Sequence, residues 1–117
     1  MSKTGYALLV KFIMTFIFAA FTFALIDRNA WGWVLLVALA VTALNYLIGD
    51  LRLLPSYGNI VASVGEGIIG GLTAWVLALL VPAFDTSFAA LFVFAVLTAI
   101  GGYFFHQYLL RTEKAAP

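Results

Sequence analysis

Four long apolar segments dominate the hydrophobic pattern of the chain, and short polar stretches separate them. The segments comprise residues 5–26, 31–49, 60–81 and 86–110. A helix rises about 1.5 Å per residue and the hydrocarbon layer is about 30 Å thick, so each segment is long enough to span a membrane. The alternating pattern that a membrane β-barrel needs is not found in the sequence. The pattern predicts an all-α integral membrane four-helix bundle, built of two antiparallel transmembrane hairpins, as a single domain over residues 1–117.

The composition identifies lipid as the main surroundings of the chain. Apolar residues make up 65% of the sequence and charged residues 9%, whereas roughly a quarter of a soluble domain is charged. The formal net charge is +1, which gives no reason to expect a nucleic-acid partner. The sequence has no Cys and one His, so we expect no disulfide, no thiol catalysis, no metal site and no cofactor. The lipid bilayer is the predicted partner.

The positive charges between the segments predict how the helices are oriented in the membrane. With an even number of spans, both termini and the middle connection lie on one side. That side carries Lys3, Arg52, Arg111 and Lys114, and the other side carries Arg28. Because cytoplasmic loops of membrane proteins are enriched in Lys and Arg, both termini are predicted to be cytoplasmic.

Each segment also carries one strongly polar residue at a similar predicted depth. Counted from the cytoplasmic ends at about 1.5 Å per residue, all four lie roughly 6–9 Å inside the membrane. These residues are Lys11, Asn45, Glu66 and His106. A buried polar layer in the cytoplasmic half of the bundle is therefore predicted.

The polar layer has a structural interpretation and several functional alternatives. An unpaired charge inside a bilayer costs at least about 2.5–3.5 kcal/mol. We therefore expect Lys11 and Glu66 to neutralise each other, with Asn45 and His106 completing the hydrogen bonds. Lys11 could instead extend its ammonium group to the membrane interface. The layer also suits an ion or proton pathway, with Glu66 as the titrating carboxylate and His106 as a relay, or a site for a ligand or lipid headgroup.

Small residues lie on the predicted inward faces of segments three and four, where they let helices approach closely. The positions assigned to helix packing are Ser63, Gly67, Gly70, Gly71 and Gly102. Gly67 shares a face with Glu66 and is expected inside the bundle. Gly71 points further round its helix, which makes it a candidate to face a second copy of the chain.

The stretch between segments two and three is rich in polar residues, Gly and Pro, which predicts a structured loop. Its notable positions are Gly49, Asp50, Arg52, Pro55, Gly58 and Asn59. Asp50 is expected to pair with Arg52 or to cap a helix, and Asn59 is expected to be the N-cap of the third helix. Leucines that alternate with polar neighbours suit a segment lying in the membrane interface. The alternative interpretation of the loop is a docking surface for a partner.

The same stretch carries a family resemblance. The motif YLIGDL at residues 46–51, followed by LPxxGN at residues 54–59, resembles the signature of the YndM-like family. The likeness extends to LVKFIMT at residues 9–15, so it covers roughly the first two thirds of the chain. Members of that family are small four-helix membrane proteins of unknown function from Bacillus-type bacteria. The resemblance implies a location in the bacterial cytoplasmic membrane and no particular activity.

Two functions from different classes agree with these observations. The first is a non-enzymatic structural or accessory four-helix bundle, either homo-oligomeric or part of a larger membrane complex. The second is a small homo-oligomeric ion or proton channel or transporter that uses Glu66, Lys11 and His106. An enzyme is not expected, because the chain lacks a nucleophile paired with a base.

Overall fold

The computed structural model describes residues 2–115, with side chains described through residue 111. This part of the chain forms four long helices and no strand: α1 Lys3–Ile26, α2 Trp31–Tyr57, α3 Asn59–Leu80 and α4 Phe88–Ala115. All four are long and apolar enough to cross a membrane. The predicted all-α four-helix membrane bundle is confirmed.

Helix α2 is longer than the sequence pattern predicts. It runs as an α-helix over Trp31–Leu44, winds as a π-helix over Asn45–Leu53, and ends with an α-helical turn, Leu54–Tyr57. The prediction that a loop begins at residue 49 is therefore wrong. Pro55 fits the helix because it occupies the first turn of that last segment, and a π-to-α change already breaks the regular hydrogen-bond pattern there.

The connection between α2 and α3 is a single residue, Gly58. Its φ angle is +88°, a conformation that glycine adopts far more readily than residues with a Cβ atom. Asn59 is the first residue of α3, and no side chain caps this helix. The prediction that Asn59 is an N-cap is wrong, because its side chain instead reaches Tyr103 of α4, where Nδ2 donates to the backbone oxygen at 3.0 Å.

Helices α3 and α4 pack against each other closely through small residues. A Cβ atom at Gly67 would lie 2.6 Å from the backbone oxygen of Ala95. At Gly71 a Cβ atom would meet the Cβ of Ala95 at 3.4 Å. Gly71 thus lies against α4 of the same chain, and the small residues of α3 serve contacts within the bundle.

A layer of aromatic side chains fills the half of the bundle farther from the chain ends. Phe23 of α1 has its ring centroid 5.6 Å from that of Phe84 and 4.9 Å from that of Phe94. All three are fully or almost fully buried. We call Phe23, Phe84 and Phe94 the aromatic layer. Large apolar side chains such as Ile17 and Leu72 remain more than half exposed on the outside, which suits a surface in contact with lipid.

At that same end, two polar groups join the α1–α2 and α3–α4 connections. Asn29 exchanges hydrogen bonds with the backbone of Asp85, donating at 2.7 Å and accepting at 2.9 Å. The Asp27 carboxylate accepts from the backbone N–H of Ser87 at 2.9 Å and from its hydroxyl at 2.6 Å. The Ser87 hydroxyl in turn accepts from the N–H of Ala90, in the manner of an N-cap for α4.

Candidate functional site

Four ionisable side chains, one from each helix, meet in the half of the bundle nearer the chain ends. They are Lys11 of α1, Asp50 of α2, Glu66 of α3 and His106 of α4, and we call them the ionic cluster. Their relative exposures are 1%, 6%, 1% and 0%. Charged residues are almost never buried to this extent without partners, and here each one contacts at least two others.

Lys11 contacts both carboxylates of the cluster. Its Nζ lies 2.6 Å from Oε1 of Glu66, and 3.1 and 3.0 Å from the two oxygens of Asp50. The same ammonium group lies 4.7 Å from the centre of the Phe105 ring, a distance at which a cation is attracted to the face of an aromatic ring. An ammonium group has three protons to donate, and these partners account for them.

His106 is held through both nitrogens of its ring. Nε2 lies 2.8 Å from Oδ1 of Asp50 and 2.5 Å from Oε2 of Glu66. Nδ1 lies 2.8 Å from Oδ1 of Asn59 and 3.2 Å from the Ser63 hydroxyl. Because Nδ2 of Asn59 donates to a backbone oxygen, the oxygen of that amide is the atom that faces the ring.

The heavy-atom distances indicate how many protons the cluster holds. Nδ1 of His106 faces the oxygen of the Asn59 amide, which can only accept, so we infer a proton on this nitrogen. Nε2 faces two carboxylates, and the contact requires a second proton between it and Glu66 or Asp50, since two acceptors do not bond without one. With that proton present, the two positive and two negative charges of the cluster cancel. Such neutrality is expected for ions held in a medium of low dielectric constant.

Two glycines lie against the cluster, and one of them makes room for it. A Cβ atom at Gly49 would overlap the side chain of Glu66. A Cβ atom at Gly102 would lie 3.5 Å from Oε1 of Glu66 and 3.9 Å from Cε1 of His106. The absence of a side chain at Gly49 leaves the space that Glu66 occupies, whereas a Cβ atom at Gly102 would make ordinary contacts.

Asn45, which the sequence pattern assigns to the polar layer, is buried but stands apart from the cluster. Its relative exposure is 1%, and neither atom of its amide group has a hydrogen-bond partner among the described residues. The hydroxyl groups of Thr42 and Thr98 are in the same situation. A buried polar group without a partner costs about 1–3 kcal/mol. Within the part of the chain that the structure describes, the polar side chains of this region are unpaired, whereas those of the ionic cluster are all paired.

The structure thus brings Lys11, Glu66 and His106 together, as the sequence pattern predicts, and adds a residue that the pattern assigned to a loop. Asp50 is buried against Lys11 and His106 rather than paired with Arg52, which is exposed. The reason is the π-helical winding of this segment. In a π-helix, residues five positions apart share a face, so Asp50 follows Asn45 inward, whereas α-helical spacing would direct Asp50 elsewhere.

A cavity of about 300 Å³ opens beside the cluster, between α1, α2 and α4. Its lining is mostly apolar and includes Ala7, Tyr46, Leu54 and Tyr108, with Lys3 near the start of the chain. Asp50 is the one member of the ionic cluster in the lining. Through Asp50 the cavity connects the end of the bundle to the buried charges.

The types of side chain in the cluster are also those that bind metal ions. The ligand atoms of Asp50, Glu66 and His106 all lie within 4.8 Å of one another, and carboxylates with imidazole suit several divalent ions. The ammonium group of Lys11, however, already contacts both carboxylates and supplies the positive charge that a metal ion would bring. We therefore interpret the cluster as a network of ion pairs.

Comparisons with known proteins identify relatives of unknown function. A family model described as "Protein of unknown function (DUF2512)" matches residues 2–116. The uncharacterized membrane protein YndM of Bacillus subtilis (strain 168) is 35% identical to the chain over 79 residues. That alignment covers 67% of this chain and 44% of YndM, so the chain aligns with less than half of the relative's length. No solved structure matches the chain.

Proposed function

This chain belongs to the DUF2512 family of proteins of unknown function, and we propose that it acts as a non-enzymatic membrane scaffold, an accessory four-helix bundle fastened internally by its ionic cluster. The resemblance to the YndM-like family agrees with the comparisons, and the chain is a multi-pass membrane protein by its four spanning helices. Neither the family description nor the relative's name gives an activity, so the proposal rests on the geometry of the cluster.

One observation carries the proposal: each helix contributes one charge to the ionic cluster, and every charge of the cluster has a partner on another helix. Helices in lipid gain little from apolar contact, since the lipid is equally apolar, and associate through close packing and polar contacts. A cluster that joins all four helices therefore holds the bundle in one arrangement. Because the charges satisfy one another, none is left to act on a substrate, which supports a structural role over catalysis.

The distribution of positive charge supports a location in the bacterial cytoplasmic membrane with both termini cytoplasmic. Lys3 of α1 and Leu109 of α4 line the same cavity, so the start of α1 and the end of α4 lie at one end of the bundle. Arg52 and Arg111 are also near that end in sequence, and Arg28 lies in the opposite connection. This bias follows the enrichment of Lys and Arg in cytoplasmic segments.

An accessory bundle acts in an assembly with other chains, and we infer that this chain is part of a larger membrane complex or a homo-oligomer. The test is purification of the tagged protein from its own membranes in mild detergent, followed by native mass spectrometry. A second protein in fixed ratio would support the accessory role and identify the partner. A protein that is recovered alone and as a monomer would contradict both assemblies.

A homo-oligomeric ion or proton channel or transporter is the second candidate, and the cavity beside Asp50 favours it. The aromatic layer argues against a path through one bundle, because it fills the interior beyond the cluster. Reconstitution in liposomes, with flux of protons and monovalent cations measured for the wild type and for Glu66→Gln, distinguishes the candidates. Flux that depends on Glu66 would favour the channel, and no flux above that of empty liposomes would favour the scaffold.

A further inference from the structure

The ionic cluster holds one proton that none of the structural contacts fixes to a single residue. Nε2 of His106 lies 2.5 Å from Glu66 and 2.8 Å from Asp50, so one proton serves all three groups. Lys11 faces the same two carboxylates from α1. Asn59 and Ser63 face the other side of the His106 ring, and neither carries a charge that would balance that of the ring. Loss of the shared proton would leave one net negative charge.

Of the ionic cluster, Asp50 alone lines the cavity that opens to the surface. Asp50 lines the cavity that opens beside Lys3, between α1, α2 and α4. Polar side chains, Tyr46 and Tyr108, accompany it in the lining, and a cavity of about 300 Å³ holds several waters, since each occupies roughly 30 Å³ in the liquid. A proton at Asp50 is therefore within reach of water on that side.

Buried polar atoms without a protein partner continue from the cluster toward the aromatic layer. Thr42, Asn45 and Thr98 carry buried polar atoms without protein partners. A Cβ atom at Gly70, one helical turn from Glu66, would lie 3.5 Å from Thr98, so Thr98 is at this level. Buried polar atoms of this kind commonly bind ordered water. Beyond them lies the aromatic layer, which offers no polar group.

From these observations we propose that Asp50, Glu66 and His106 form a binding site for one exchangeable proton, reached from the cavity and closed toward the opposite side of the membrane. On release, the N–H bond at Nε2 of His106 breaks and the proton passes to a carboxylate oxygen of Asp50. From there it forms an O–H bond with water in the cavity. Uptake follows the reverse order, and the net negative charge left in the cluster attracts the returning proton.

The experiment uses the single histidine of the sequence. The full chain, carrying a tag without histidine and labelled with [15N]histidine, gives imidazole signals from His106 alone. The protein in detergent micelles is transferred from H2O to D2O, and loss of the Nε2–H signal is followed by NMR. We expect this proton to exchange about tenfold or more faster than the backbone amide of His106, which needs local opening of α4. Equal rates would overturn the proposal.

A variant that fills the cavity tests the route. Ala7→Phe places a ring in the lining, and Leu9→Phe, on the lipid-exposed face of the same helix, is the matched control. We expect Ala7→Phe to slow exchange at Nε2 by about tenfold while Leu9→Phe leaves it unchanged. Leu54→Phe fills the cavity from α2 and replaces Ala7→Phe if that variant does not fold. Exchange at the wild-type rate in a folded cavity variant would overturn the route.

Discussion

Nε2 of His106 lies 2.8 Å from Oδ1 of Asp50, although 56 positions separate the two residues in the sequence. The contact ties α2 to α4 inside the bundle, where the side chain of Asp50 is 2% exposed. The contact changes the interpretation of the polar stretch after residue 49, because Asp50 in that stretch is buried inside the bundle. The contact between the two also provides a direct test of the cluster.

Replacement of Asp50 by Asn should destabilise the bundle. The change removes one negative charge from the cluster, so that Lys11 and His106 share Glu66 alone, and breaking a buried ion pair from one side costs about 3–5 kcal/mol. We expect a loss of about 3 kcal/mol, since Glu66 still compensates part of the charge. The free energy of unfolding, measured in detergent micelles by titration with a denaturing detergent, checks this value.

The matched control for that variant is Asp85→Asn. Asp85 is exposed, and its hydrogen bonds to Asn29 involve backbone atoms. Loss of its charge should change the free energy of unfolding by less than about 0.5 kcal/mol. Similar losses in the two variants would mean that the buried cluster contributes no more than an exposed acid.

The sequence alone was sufficient for the four helices and for three members of the cluster. Long apolar runs determine the helices because the bilayer imposes their length, and Lys11, Glu66 and His106 are conspicuous as polar residues within such runs. Asp50 was missed because α-helical spacing does not hold where α2 winds as a π-helix. No local pattern in the sequence predicts that winding or the ion pair between Asp50 and Lys11.

Lys11 and Glu66 should show strong coupling in a double-mutant cycle. Lys11→Met leaves a net negative charge in the cluster, Glu66→Gln leaves a net positive charge, and the double variant is neutral. The loss of stability in the double variant should therefore be smaller than the sum of the two single losses by at least about 1 kcal/mol. Additivity within the error of the unfolding measurements would show that the 2.6 Å contact contributes no stability.

Gly67→Ala should disturb the packing of α3 against α4. The added methyl group would lie 2.6 Å from the backbone oxygen of Ala95, and backbone cannot move aside as a flexible side chain can. Overpacking of this kind costs about 1–3 kcal/mol, which a lowered melting temperature in micelles would register.

Gly32→Ala is the control for Gly67→Ala. A Cβ atom at Gly32 would meet nothing within 4 Å, and the residue lies near the start of α2. Its replacement should raise stability by up to about 1 kcal/mol, because alanine has less conformational freedom to lose on folding. Equal effects of the two changes would contradict close packing at Gly67.

The polar contacts at the opposite end of the bundle were not predicted from the sequence. Asp27 and Ser87 each lie in a short connection between helices where polar residues are common, and 60 positions separate them. Nothing in the sequence near either residue indicates the other as its partner. Their pairing follows from the closeness of the two connections in space, a consequence of the bundle that requires the packed arrangement of all four helices. A capping residue such as Ser87 lies next to its own helix, whereas the acid that binds it comes from another segment and cannot be identified from the sequence.

Removal of the Asp27 carboxylate gives the last prediction. Asp27→Ala deletes both acceptors of Ser87, the residue whose hydroxyl caps α4. Because a hydrogen bond contributes about 1 kcal/mol to stability, we expect a loss of about 1 kcal/mol in unfolding free energy. Asp27→Asn keeps one oxygen that accepts from the backbone N–H of Ser87, and should lose about half as much. If Asp27→Ala unfolds like the wild type, the contacts of 2.9 and 2.6 Å do not stabilise α4. Hydrogen exchange of the first amides of α4 locates the effect, because without Asp27 the capping residue Ser87 is held less firmly while the ionic cluster stays intact.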